Sequence, residues 1–268
     1  MMSPAFEPVK FQQTRLFGLI DDVRRGHPWL WHSVWTMLAL SAVLSIFPFF
    51  DPRQINGVRG WEKPAKFFLS VALQFGTVSW ALTKLPTITV GVNRAVIIMV
   101  LCGWAENIYM TICAVLGQAS HFNFSTPITS VAFSLMGLGA VSMTVSAFYI
   151  GWQIWRKSET DVWKQAAALG LTVGAALGTI AGAYMGGQTG HWVGGVANDA
   201  GGLPLFNWST TGGDLRVAHF MGLHATQFIP FAALSGDKRV VYGACLAMVV
   251  LTAGIFAMGI AGIPLFKA

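Results

Sequence analysis

The residues able to do chemistry gather between His191 and Gln227, in the run HWVGGVANDAGGLPLFNWSTTGGDLRVAHFMGLHATQ. Three of the six histidines lie there, where a glycine-rich, charge-poor stretch feeds into a segment carrying Asp214, Arg216, His219 and His224. Glu106, with Asn107 beside it, lies in a separate apolar run, and His121 lies in SHFN. Imidazoles and carboxylates in this mixture act either as ligands of a divalent metal, zinc or iron, or as acid–base pairs. In the first case His219, His224, Asp214, His191 and His121 are the candidate ligands. In the second, His224 is the base, Glu106 its orienting partner or proton acceptor, and Arg216 a clamp for an anionic group.

Spacing limits these roles. Five residues of regular helix turn through about 140°, so His219 and His224 are not the i, i+4 pair that chelates one ion. Asp214, His219 and His224 do recur every five residues, the period that a π-bulge aligns, and Gly222 stands where one would be tolerated. Without a bulge, Arg216 and His219 share one face while His224 and Gln227 share another. Cys102, Glu106 and Cys113 form a stripe that a soft metal would use, against the plainer reading of buried thiols packing as small hydrophobes. Plainer readings also exist for His121 and His191 as solvated loop residues, for His27 and His32 as interfacial neighbours of tryptophan, and for His219 as the partner of a backbone carbonyl.

The elements that must position these groups are apolar runs. Of 268 residues 54% are hydrophobic and only 10% charged, too few polar side chains to clothe a soluble globule of this size. The pattern predicts an all-α, polytopic membrane helix bundle of about seven transmembrane helices. The spans expected are 29–50, 67–85, 92–117, 128–155, 162–187, 214–234 and 240–263, each matched to the thickness of a hydrocarbon core. Residues 1–28 form an N-terminal segment with the composition of a surface amphipathic helix or a solvated tail, and 29–268 a single transmembrane domain with a Gly-rich loop at 188–213. The first apolar run is longer than a signal h-region and is expected to stay as an anchor. Within the fifth run glycine recurs at 170, 174, 178, 182 and 186, a stripe that lets a neighbouring backbone approach closely. Asp214, after two glycines, is a good N-cap for the sixth.

Lysine and arginine set the expected orientation. With the N-terminus inside, eleven fall on the inner side and six on the outer, which favours N-inside and C-outside. That arrangement turns RGWEKP, SHFN and the glycine-rich loop toward one compartment. The net charge of +6 is spread between apolar runs rather than gathered on a patch, so no nucleic-acid partner is implied. The three cysteines lie inside apolar runs without a C-x-x-C pair, which argues against a disulfide framework or a zinc ribbon.

Several templates are absent: no Walker loop, no G-x-S-x-G elbow and no H-E-x-x-H. The last span has neither the HxxxH pair of the seven-helix zinc lipid hydrolases nor a central lysine for retinal. The segments DPRQINGVRGWEKPAKF, SHFNFSTP and GGLPLFNWSTTGGDLRVAHFMGLHATQ, about a third of the chain, resemble a group of bacterial integral membrane proteins to which no activity attaches. That resemblance implies a multi-pass protein of a bacterial cytoplasmic (inner) membrane and supplies no reaction.

The reading that follows is a protein with an outward-facing pocket lined by Glu106, His121, His191, Asp214, Arg216, His219 and His224. The pocket takes a metal ion or a small-molecule or lipid-derived ligand. A transporter or proton relay through Glu106 and His224 is the alternative, followed by a haem b electron carrier using His224, and by a structural or assembly subunit. Beyond the lipid bilayer and the ligand, the partners open to it are a second copy of the chain or the subunits of a membrane complex.

Overall fold

The computed structural model describes residues 13–267. Among them are eight α-helices: α1 Gln13–Gly26, α2 Pro28–Leu44, α3 Glu62–Leu82, α4 Val90–Leu116, α5 Pro127–Trp155, α6 Val162–Gly186, α7 Leu215–Phe231 and α8 Lys238–Ile260. Two short hairpins, β1 Gln54–Ile55 with β2 Val58–Arg59 and β3 Trp192–Val193 with β4 Gly213–Asp214, are the whole of the sheet among those residues.

The helix ends follow local rules. Thr126 and Thr129 make a reciprocal capping box ahead of α5, and Asp161, Asp214 and Asp237 each accept a backbone N–H at the starts of α6, α7 and α8. Gly117 closes α4 in the left-handed region, at φ 68°. Six helices are long and apolar enough to cross a membrane: α2 with the turn that follows it, α3, α4, α5, α6 and α8. The sixth run of the sequence forms α7, which has 17 residues and continues into a 3-10 turn at Ala232–Ser235. At about 1.5 Å per residue α7 alone is roughly 25 Å long, and the polar side chains it carries place it apart from the others.

Of the N-terminal segment, residues 1–12 lie outside the described residues. The remainder is α1, held to α3 where Ser79 Oγ donates to the Val23 carbonyl at 2.6 Å and accepts the His27 N–H at 3.2 Å. His27 Nε2 meets Asn93 Oδ1 at 3.0 Å, so this histidine joins three helices at the end opposite the glycine-rich loop.

Leu30, Met37, Phe75, Val78, Met99, Ile150 and Leu171 are fully buried where α2 to α6 meet. Leu135, Leu138, Val145, Leu246 and Val250 face outward on α5 and α8, apolar surface suited to lipid. The glycine stripe of α6 packs on α7. A Cβ at Gly174 would strike Thr226, one at Gly178 would strike Leu223, and one at Gly182 would strike the His219 ring. Gly222 on α7 returns the contact, coming within a Cβ's reach of the Gly178 backbone, so here only glycine on both helices permits the approach. Gly186 lies past the seam and meets nothing.

Counting passes through the bundle brings the connections 45–61, 117–126 and 187–214 to one end. There the Asp199 N–H donates to the Asn56 carbonyl at 2.8 Å, Asn207 Nδ2 donates to Glu62 Oε2 at 2.9 Å, and Arg53 Nη1 donates to the Val115 carbonyl at 2.9 Å. The segment 187–214 thus lies as a lid over the ends of α3 and α7.

Candidate functional site

The lid is fixed onto the first turn of α7. Trp192 pairs with Asp214 in the small hairpin, and the Leu215 N–H donates to the His191 carbonyl at 2.9 Å. Asp214 caps α7 through the Arg216 N–H at 3.0 Å, and its second oxygen accepts the Ser209 N–H at 3.0 Å. The Arg216 guanidinium then gathers the rest. Its Nε donates to Asp214 Oδ1 at 3.0 Å, while Nη2 donates to Asp214 Oδ2 at 2.6 Å, to Asp199 Oδ1 at 2.8 Å and to the Asn207 carbonyl at 2.7 Å. Asn207 reaches that position in the left-handed region, at φ 57°. Trp192 Nε1 adds a donor to Asp199 at 3.2 Å.

Electrostatics separate the two carboxyls. Burial pushes Asp214 up, and the hydrogen bonds and charge of Arg216 overcome it, so the group ends below its ordinary value. Burial also raises Asp199, and there Arg216 only partly offsets it. His191 is buried between them, its ring nitrogens 3.8 Å from Asp199 and 3.7 Å from Asp214. Burial, reinforced by the Arg216 charge, drives the imidazole down to about 3, so it is neutral at pH 7.

Below the lid the polar groups continue inward. Phe122 stacks edge-on to His191 with ring centres 5.9 Å apart, and His121 beside it sits between Phe67 and Phe133, each ring centre 5.9 Å away. His121 Nδ1 is hydrogen-bonded to Ser120 Oγ at 3.0 Å. Burial and the nearby charges of Lys63, His191 and His219 hold the His121 imidazole well below its ordinary value. His219 Nδ1 meets the Gly178 carbonyl at 2.8 Å. A carbonyl only accepts, so this bond selects the Nδ1–H tautomer and leaves Nε2 as a lone pair. Lys63, His121 and His219 are surrounded by protein, yet each keeps accessible surface. They therefore stand apart from the fully packed core.

Asp214, Arg216 and His191 come together in the lid, with His121 and His219 beneath them. The other two expected residues go elsewhere. His224 turns away from His219 and bonds Gln227 Oε1 at 3.0 Å, and Gln227 continues to Gln74 at 3.2 Å and Thr77 at 3.0 Å on α3. Glu106 points toward Gly139 on α5, and its Oε1 is buried without a hydrogen-bond partner. The expected Glu106–His224 pair is not formed, because α4 abuts α5 while the His224 face of α7 turns to α3. Nor does a π-bulge bring Asp214, His219 and His224 into line. The helix is regular there, and Gly222 is used for close approach to α6 instead.

Among the described residues, no three His, Cys, Asp or Glu side chains come together to hold a metal ion. Of the five expected ligands, Asp214 is held by Arg216, and His219, His224 and His121 are bonded through Nδ1 to Gly178, Gln227 and Ser120, while His191 Nδ1 is buried in the lid without a partner.

Lys63 was not singled out by sequence reasoning. In RGWEKP it reads as one more loop cation next to a helix start, and only the fold sets it over Phe67, at 5.8 Å, whose ring in turn packs beside His121. Asn207 and Ser209 were equally unmarked, although the Gly-Gly pairs at 201–202 and 212–213 on either side of LPLFNWSTT signal a shaped loop. Compared with protein-family models, curated proteins and solved structures, the chain matches none.

Proposed function

We propose that the chain is a seven-span integral membrane protein, N-inside and C-outside, of a bacterial cytoplasmic membrane. In this reading α7 with its 3-10 extension is the seventh span. The lid faces the outer compartment, as the eleven-to-six bias of basic residues favours. The cleft beneath it takes a small polar or lipid-derived ligand and acts on it by acid–base chemistry.

The observation that carries this reading is the His219–Gly178 bond. It fixes one tautomer and leaves an unprotonated Nε2 on a ring that keeps some accessible surface, as His121 and Lys63 also do, which supports a common cleft beneath the lid. A group so held removes or relays a proton from whatever oxygen or nitrogen sits in the cleft. His121 is the second proton carrier.

The test is thermal stabilisation and native mass spectrometry of the purified protein against polar and lipid extracts of its host membrane. A retained compound whose binding is lost in His219→Gln supports the reading. A compound held equally well by that variant removes the cleft from consideration.

A further inference from the structure

We infer that Lys63 and the remaining Nη1 of Arg216 form a two-cation clamp for an oxyanion, a phosphate or carboxylate group on the ligand. The inference rests on the cleft reading above and names the chemistry the cleft selects.

An ammonium group carries three donors, and among the described residues Lys63 has neither a hydrogen-bond acceptor nor a carboxylate within 4.0 Å; its nearest aromatic neighbour is Phe67, 5.8 Å from the ring centre. Every acidic group that might have served it is engaged elsewhere. Glu62 is taken by Lys66 at 3.1 Å and by Asn207 at 2.9 Å, and Asp199 and Asp214 both close on Arg216. With no protein acceptor, its donors are left for an oxygen of the ligand.

Arg216 shows the complementary half. Two of its three guanidinium nitrogens are spent on the lid, and Nη1 has no acceptor among the described residues. Nη1 is not among the sealed, unpartnered atoms, so it keeps access to solvent, as does Lys63 Nζ. The two carboxylates behind Arg216 hold its plane still, which presents the remaining N–H groups in a fixed direction. Asn207 links the two neighbourhoods, its amide donating to Glu62, the residue beside Lys63, at 2.9 Å and its carbonyl accepting from Arg216 at 2.7 Å, which brings both cations to the same edge of the lid. The neighbouring imidazoles, anchored through Nδ1, offer Nε2 as the further polar contacts of a bound headgroup.

The experiment uses the full chain in an uncharged, phosphate-free detergent. Lysine acetylation by a small neutral reagent is followed by mass spectrometry, with Lys66 as internal reference. The probes are inorganic phosphate, acetate and dihexanoyl phosphatidic acid, with glycerol as the uncharged control. The expected result is that at least one oxyanion slows acetylation of Lys63 about tenfold or more while Lys66 is unaffected. Protection by phosphate or acetate identifies a soluble anion, and protection by the short-chain lipid alone identifies a headgroup. Thermal stabilisation by the same probe is lost in Lys63→Met and kept in Lys63→Arg. Unprotected Lys63 in the wild type, or undiminished stabilisation in Lys63→Met, overturns the clamp. If an uncharged compound binds and depends on His219 while no oxyanion protects Lys63, the clamp fails and the cleft stands.

Discussion

Asp199 and Arg216, seventeen positions apart, meet at 2.8 Å and tie the middle of the lid to the start of α7. Asp214 binds the same guanidinium at 2.6 Å, so one cation is held by two carboxylates in a largely desolvated place. Removing the cation leaves both carboxylates uncompensated, whereas removing one carboxylate leaves a pair. Arg216→Ala should therefore cost about 3–5 kcal/mol, and Asp199→Asn clearly less. Unfolding midpoints of the two variants in detergent check the order.

Acidification should loosen the lid. The folded value of His191, about 3, lies below the ordinary 6.5, so the folded state resists a proton that the unfolded state accepts. Its contribution is intact above about pH 6.5 and is lost as pH falls toward 3, with a loss on the order of 1–2 kcal/mol by pH 5. His121 shifts in the same direction and adds to the loss. Asp214, also lowered, contributes only as pH drops below the ordinary carboxylate value, and Asp199, raised, works the opposite way. The wild type should lose thermal stability between pH 7 and pH 5, and His191→Gln should lose less. An unchanged dependence in that variant would assign the effect elsewhere.

The α6–α7 seam should tolerate no side chain at its centre. Gly178→Val drives a branched group into Leu223 and the Gly222 backbone, at a cost of roughly 1–3 kcal/mol or more. Gly186→Ala, beyond the seam, should be neutral. Gly182→Ala meets the His219 ring and should weaken ligand retention more than it lowers the unfolding midpoint.

Glu106 gives a sharp contrast with the cleft. It faces Gly139, so Glu106→Gln should leave ligand retention unchanged while His219→Gln abolishes it. Equal loss in both variants would return Glu106 to the site.

Orientation is open to direct chemistry. With the native cysteines replaced, Ser125→Cys and Ala197→Cys should react from outside intact cells with an impermeant maleimide, and Lys157→Cys and Ser235→Cys only after permeabilisation. Labelling of Ser125→Cys and Ala197→Cys from opposite sides would dissolve the arrangement of connections at the lid.

The helices were legible because long apolar runs leave little choice, and the start of α7 because Asp214 follows two glycines. The glycine stripe announced the seam through its period alone. Even the bond of His219 to a carbonyl was among the readings a single helix allows. What one sequence does not carry is which neighbour each helix face meets. Glu106 and His224 both read as inward-facing ionisable groups, yet α4 offers its carboxylate to α5 and α7 offers its imidazole to α3. Lys63 illustrates the same gap from the other side: an ordinary loop cation until the lid closes above it.

The lid leaves α6 and re-enters at α7, the two helices zipped most tightly by small residues. Both its feet therefore stand on a locked footing. The catches at the free edge are Asn56 and Glu62, on the approach to α3. Those two latches sit beside Lys63, so the fastening of the loop and the cation next to it share one doorstep.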